Sequence, residues 1–158
     1  MSVTNEQTST AQRSTATVTE FFDAYRRQDV EAMVDLCTPT ARFDYVPFEM
    51  WGRQRVLRGA GTVATIGKPL WTGLIRAFPD LTNTVGSIVA DEEGDVAAEV
   101  VISGTQAGPW GTIAGRGRAF AEPHLFVMHV DADGLVDSIT GYWDGAGIAR
   151  QLGHLEVD

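Results

Sequence analysis

The chain has 158 residues, is 44% hydrophobic and 21% charged, and carries a formal net charge of -9. That length fits one globular domain, and the excess of acid excludes a surface built for nucleic-acid phosphates or anionic membranes, which needs a basic patch. A single cysteine, Cys37, excludes an intrachain disulfide framework.

Met1 to Arg13 is polar and reads as a disordered tail, leaving residues 14–158 as a single domain. No export signal or run of ~18 apolar residues is found, so a cytoplasmic protein with no membrane segment is expected. From Ser14, the spacing of Val18, Phe21, Phe22 and Tyr25 predicts an amphipathic helix. Asp29 caps a second, short helix with Ala32, Met33 and Leu36 on its apolar side. Cys37 falls at the end of that helix and reads as a buried, inert thiol.

Ala41 to Val46 alternates and predicts a strand. Asp44 and Tyr45 are neighbours in it, so only one of them can face the interior. Tyr45 would bring a hydroxyl donor to a pocket, and Asp44 a carboxylate; the spacing leaves that choice open. Pro47 to Gly67, with Trp51 and three arginines, reads as a long loop of the kind that walls a pocket. Leu70, Leu74, Ile75 and Phe78 predict a third helix from Lys68. Strands are then expected over Thr82–Ala90, Val96–Thr105, Arg116–Val130 and Leu135–Trp143. Turns at Asp91–Asp95 and Asp131–Gly134 separate them, with a Gly-rich loop carrying Trp110 between the second and third. Helices followed by a strand meander argue for an α+β domain.

Period two sorts the long strand into faces. Phe120, Glu122, His124, Phe126 and Met128 share one; Leu125, Val127 and His129 share the other. Burying an unpaired acid and an imidazole in a plain core face is costly, so Glu122 and His124 either reach solvent or line a pocket. Pro123 between them predicts a bulge or an open edge. His129 reads as a surface or satisfied-core histidine. The last strand ends at Tyr142-Trp143-Asp144, where a short helical run begins. Asp144 can cap that helix through backbone N–H groups or sit in a pocket and move protons.

Other chemistries lack their signatures. The three histidines have no metal-binding spacing, so no metal site is expected. No glycine fingerprint follows a strand, and no serine stands in a nucleophile elbow.

In order and spacing, several short motifs resemble the SnoaL-like polyketide cyclases of the nuclear-transport-factor-2-like superfamily. They are Phe21-Phe-Asp-Ala-Tyr25 with Asp29-Val-Glu-Ala-Met33, Ala77-Phe-Pro-Asp-Leu81, Asp133-Gly-Leu-Val136, and Tyr142-Trp-Asp144 through Gln151-Leu-Gly153. The resemblance implies a cone, with a curved sheet wrapped around the N-terminal helices and a deep apolar pocket at its open end, and homodimers are common in that group. It also implies that Asp144 matches the family's acid/base aspartate. Ketosteroid isomerases resemble the chain less: their oxyanion-hole aspartate would fall near Phe126, and their base near Asp44 or Tyr45. Limonene-type epoxide hydrolases would need an aspartate near Gly141.

The function these readings imply is a cofactor-independent acid/base enzyme, an aldol-type cyclase or isomerase, acting on a hydrophobic polyketide-like metabolite. Asp144 would transfer the proton. His124, Tyr45 and Glu122 would polarise a carbonyl or hold a hydroxyl, with Asp44 a further candidate. Trp143, Phe126, Trp110, Phe120 and Met128 would clamp apolar rings, and Trp51 would join the binding residues from the long loop. The alternatives are a non-catalytic binding or dimerisation module, or an epoxide hydrolase or dehydratase variant.

Overall fold

A computed structural model describes residues 8–46, 60–111 and 113–154. The first helix, α1 (Thr10–Arg26), starts earlier than the apolar spacing predicts. Ser9 and Gln12 form a reciprocal capping box, each side chain satisfying the other's backbone N–H. The polar segment before Ser14 therefore supplies the helix's first turn. Phe21 and Phe22 are fully buried and meet edge-to-face at 5.4 Å. Gln28 turns the chain at φ 60° and donates from Nε2 to the carbonyls of Pro79 and Leu81, which ties down a conformation that side chains rarely adopt.

Asp29 caps α2 (Val30–Asp35) as the sequence predicts. Strand β1 (Cys37–Val46) begins before the predicted Ala41, so Cys37 starts a strand instead of ending a helix. Its thiol is buried and bonds the Met33 carbonyl at 3.4 Å. Burial pushes it up to about 12, which keeps it an inert thiol. Within the predicted long loop, Ala60–Thr62 pairs antiparallel with β1 as β2, and Val63–Gly67 forms a π-helical turn leading into α3 (Lys68–Ala77). Trp51 and the first part of that loop lie outside the described residues.

Strands β3 (Thr82–Ala90), β4 (Asp95–Thr105), β5 (Ala119–Val130) and β6 (Val136–Trp143) follow, and α4 (Gly145–Gln151) closes the fold. Among the described residues the sheet runs β2-β1-β6-β5-β4-β3, with β1 and β6 parallel and every other pair antiparallel. The predicted α+β architecture is present: a curved, unclosed sheet whose inner face packs on the helices. Phe21 meets Trp71 of α3 at 5.5 Å, and Phe22 meets Phe126 of β5 at 5.2 Å. One row across the inner face reads Tyr45, Gly141, Phe126, Ala98. A Cβ on Gly141 would lie 3.2 Å from both the Tyr45 and the Phe126 ring, so the glycine makes room for them.

Pro123 does not bulge the strand, because the β4–β5 register runs through Val101↔Pro123 unbroken. It sits at an open edge instead. The last β5–β6 pair is His124↔Trp143, and beyond it the Ala121 N–H turns away from β4 to the Gln151 side chain. Pro123, two residues on, therefore points its ring nitrogen where no strand needs a donor.

Candidate active site

The predicted face of β5 is the inner one. Phe120, His124, Phe126 and Met128 are buried on it, and Glu122 is half-buried. At the end of the cone, Tyr45, His124, Trp143, Trp110 and Phe120 line one apolar cavity. Leu70 and Leu74 of α3, Ile102 of β4 and Ile148 of α4 complete its wall. The free space is about 20 Å³, room for about one water molecule. Trp110 and Trp143 pack at 5.9 Å, and with Tyr45 they occupy much of the expected pocket. A metabolite-sized ligand needs roughly 300 Å³ or more, so part of this wall must move to admit one.

His124 is 6% exposed and lies between two parallel rings, Phe126 at 5.7 Å and Trp143 at 5.9 Å. Its Nδ1 lies 3.0 Å from the Glu122 carbonyl. A carbonyl only accepts, so Nδ1 carries the hydrogen and Nε2 keeps its lone pair. Burial lowers the imidazole to about 4, with the Glu122 bond pulling partly the other way. His124 is therefore neutral near pH 7. Tyr45 meets His124 edge-on at 6.3 Å and is 7% exposed. Burial raises its phenol well above the ordinary range, so it stays protonated and can donate.

Asp44 is on the opposite face of β1, where it pairs with Arg42 at 3.8 Å, half-buried and away from the cavity. Of the two alternatives the spacing leaves open, the structure turns Tyr45 inward, and Asp44 is not among the cavity walls. Phe126 and Met128 lie in the packed core behind the cavity and are not among its walls. Glu122 lies toward α4, where Oε2 accepts from Gln151 Nε2 at 2.7 Å. Its carboxyl is raised chiefly by burial; the Gln151 bond opposes that rise and the nearby Asp144 adds to it.

Asp144 is exposed and caps α4, accepting the Gly147 N–H at 2.9 Å through Oδ1. It is not a wall of the inner cavity. A Cβ on Gly147 would lie 2.7 Å from Asp144 Oδ2 and 3.3 Å from Glu122 Oε1, so the two acids flank one glycine. His129 is on the outer face, with Nδ1 2.7 Å from Asp137 Oδ1 and Nε2 3.1 Å from the Glu93 carbonyl.

Sequence reasoning left out the cavity residues Leu70, Leu74, Ile102 and Ile148. Leu70 and Leu74 were visible as a helical stripe. Periodicity says only that a side chain faces inward, not whether it meets a core or a cavity.

The profile of the SnoaL-like domain family matches residues 18–139. Among solved structures, the chain is similar to AclR, a candidate hydroxylase from Streptomyces galilaeus. The two share 21% identity over 91% of this chain and 87% of that one, with a TM-score of 0.75. It is similar to IdmH, a candidate polyketide cyclase from Streptomyces antibioticus, at 25% identity over 89% and 98% with a TM-score of 0.72. It is also similar in fold to an LEH-like epoxide hydrolase from M. tuberculosis, at 16% identity over 90% of each chain with a TM-score of 0.65. No curated protein matches the sequence. Among the described residues no helix is long and apolar enough to cross a membrane.

Proposed function

Because the chain belongs to the SnoaL-like domain family, we propose that it is a cyclase-type acid/base enzyme acting on a hydrophobic polyketide-like substrate. One observation carries this reading: a neutral His124, with its tautomer set by the Glu122 carbonyl, lines an apolar cavity beside a protonated Tyr45. Nε2 of His124 takes a proton from a carbon next to a substrate carbonyl. Tyr45 donates a hydrogen bond to the carbonyl oxygen as it becomes an enolate. The enolate carbon attacks a second carbonyl, a carbon–carbon bond forms, and the new alkoxide takes the proton back from Nε2. Atoms and charge balance, so substrate and product have the same mass. The lowered basicity of His124 is offset during the reaction, since its cation arises opposite the enolate it has just made.

This reading gives the proton to His124 and leaves Asp144 the role of holding α4, which carries Ile148 into the cavity wall. An epoxide-hydrolase chemistry is disfavoured, because the Gly141 position is closed by the Tyr45 and Phe126 rings. The test is turnover of aromatic poly-β-keto esters in D₂O, followed by mass spectrometry. The expected product is an isomer of the substrate carrying exchanged deuterium. His124→Gln should lower turnover by about 10²–10⁴-fold, the usual contribution of a positioned acid/base group. Asp144→Asn should stay near wild type, since Asn caps as well as Asp. The opposite ranking of the two variants would return the proton to Asp144.

We also infer a homodimer formed through the outer sheet face, where Val101, Leu125, Val127 and Tyr142 are exposed across neighbouring strands. Sedimentation should show a dimer that Leu125→Glu shifts toward monomer.

A further inference from the structure

The tautomer of His124 depends on one backbone carbonyl, that of Glu122, 3.0 Å from Nδ1. That carbonyl lies past the end of β6, since the last β5–β6 pair is His124↔Trp143. On one side β4 continues beside it, through Val101↔Pro123, Ile102↔Glu122 and Ser103↔Ala121. On the other side Pro123 has no N–H to offer, and the Ala121 N–H has no strand to meet. A side chain takes the place of the missing strand. Gln151 of α4 accepts the Ala121 N–H through Oε1 at 2.9 Å and donates from Nε2 to Glu122 Oε2 at 2.7 Å. These partners fix the orientation of the amide, because a backbone N–H only donates and a carboxylate only accepts. An apolar side chain could make neither bond, and a carboxylate only the first. The helix has other anchors: Ile148 and Leu152 bury its apolar side, and Asp144 caps it.

We propose that Gln151 is a positioning residue for His124: it holds residues 121–122 of β5 at the open edge, so that the Glu122 carbonyl stays on Nδ1–H and Nε2 keeps its lone pair. This rests on the reading of His124 as the proton-transfer base. The bond made by one ring nitrogen decides which nitrogen carries the hydrogen. If the carbonyl drifts away, the hydrogen can move to Nε2, and that molecule can no longer take the substrate proton. The fraction of protein with the right tautomer therefore scales kcat. Gln151 is not among the cavity walls, so it acts through His124 and not on the substrate.

The test is Gln151→Met in the full-length protein labelled with ¹⁵N-histidine, the His124 signals being assigned by their absence from His124→Gln. Wild type should show the hydrogen on Nδ1 of His124, and in the variant part of it should move to Nε2. With an aromatic poly-β-keto ester, kcat should fall about 10-fold at unchanged KM, the worth of one or two hydrogen bonds. Gln151→Glu keeps an acceptor for Ala121 but sets a second carboxyl against Glu122, and it carries the test where Gln151→Met does not fold. At pH 8 it should reproduce the tautomer shift and the loss of kcat. Near pH 5.5 a proton shared between the two carboxyls restores a donor, and kcat should return to within about twofold of wild type at that pH. Wild-type kcat with the Nδ1 hydrogen unmoved would overturn the proposal. So would a raised KM or a lower unfolding midpoint with the tautomer unmoved, which would mark Gln151 as a support for α4 alone. Wild-type turnover in His124→Gln would instead remove His124 as the base, and the ¹⁵N signals would still report whether Gln151 sets its tautomer.

Discussion

His124 and His129 stand on the same strand, yet their surroundings push them in opposite directions. The inner His124 is stacked between aromatic rings and lowered to about 4 by burial. The outer His129 is raised, chiefly by its hydrogen bond to Asp137. They are five positions apart, an odd offset, so the pleat sends one into the cone and the other to the turn beside an acid. The same side chain becomes a neutral acceptor at one position and, at the other, a group whose proton is held more tightly.

The largest expected effect is on turnover. His129→Gln should leave it within about twofold, whereas the same substitution at His124 should cost orders of magnitude. Equal losses at the two positions would erase the functional contrast.

The next effect is on stability against pH. His124 has a folded-state value of about 4, below the ordinary unfolded value of ~6.5. As pH falls through that interval, the unfolded chain takes up the proton first and folding weakens. The stability present above pH ~6.5 is thus lost down to about pH 4, by roughly 3 kcal/mol. Urea unfolding across this range should show the acid slope, and His124→Phe should flatten it relative to wild type. A parallel slope in the variant would mean that His124 is not the group responsible.

The smallest effect has the opposite sign. His129 is raised, so its contribution is present below pH ~6.5 and is lost as pH rises through its folded value. It is partly exposed, and solvent screens its pair with Asp137. Proton NMR should show His129 titrating above the ordinary value, and Asp137→Asn should bring it down. An unmoved titration would remove Asp137 as the cause.

Asp144 shows where sequence patterns stop. The strand-to-helix junction was legible, and so were both possible jobs of its carboxylate. Only the path of α4 showed the side chain turning to the Gly147 N–H and lying outside the cavity wall. Asp44 and Tyr45 show the same limit, since alternation made them exclusive and the pairing of β1 with β6 chose between them. Leu70, Leu74, Ile102 and Ile148 were expected inward or passed over, because apolar spacing cannot separate a core contact from a cavity wall.

By itself the sequence determined the order of the helices and the longer strands, the two faces of β5, the cap at Asp29 and the family of the fold. Those features follow from local backbone periods and from side chains acting within a few residues. Tertiary structure alone decided that His124, Tyr45 and Trp143 meet, that Gly141 admits two rings, and that the cavity is reduced to about 20 Å³. These depend on the sheet's curvature and on the seating of α3, α4 and the Trp110 loop. Distance and burial between residues far apart in the chain set the electrostatics of the site, and no local pattern encodes them.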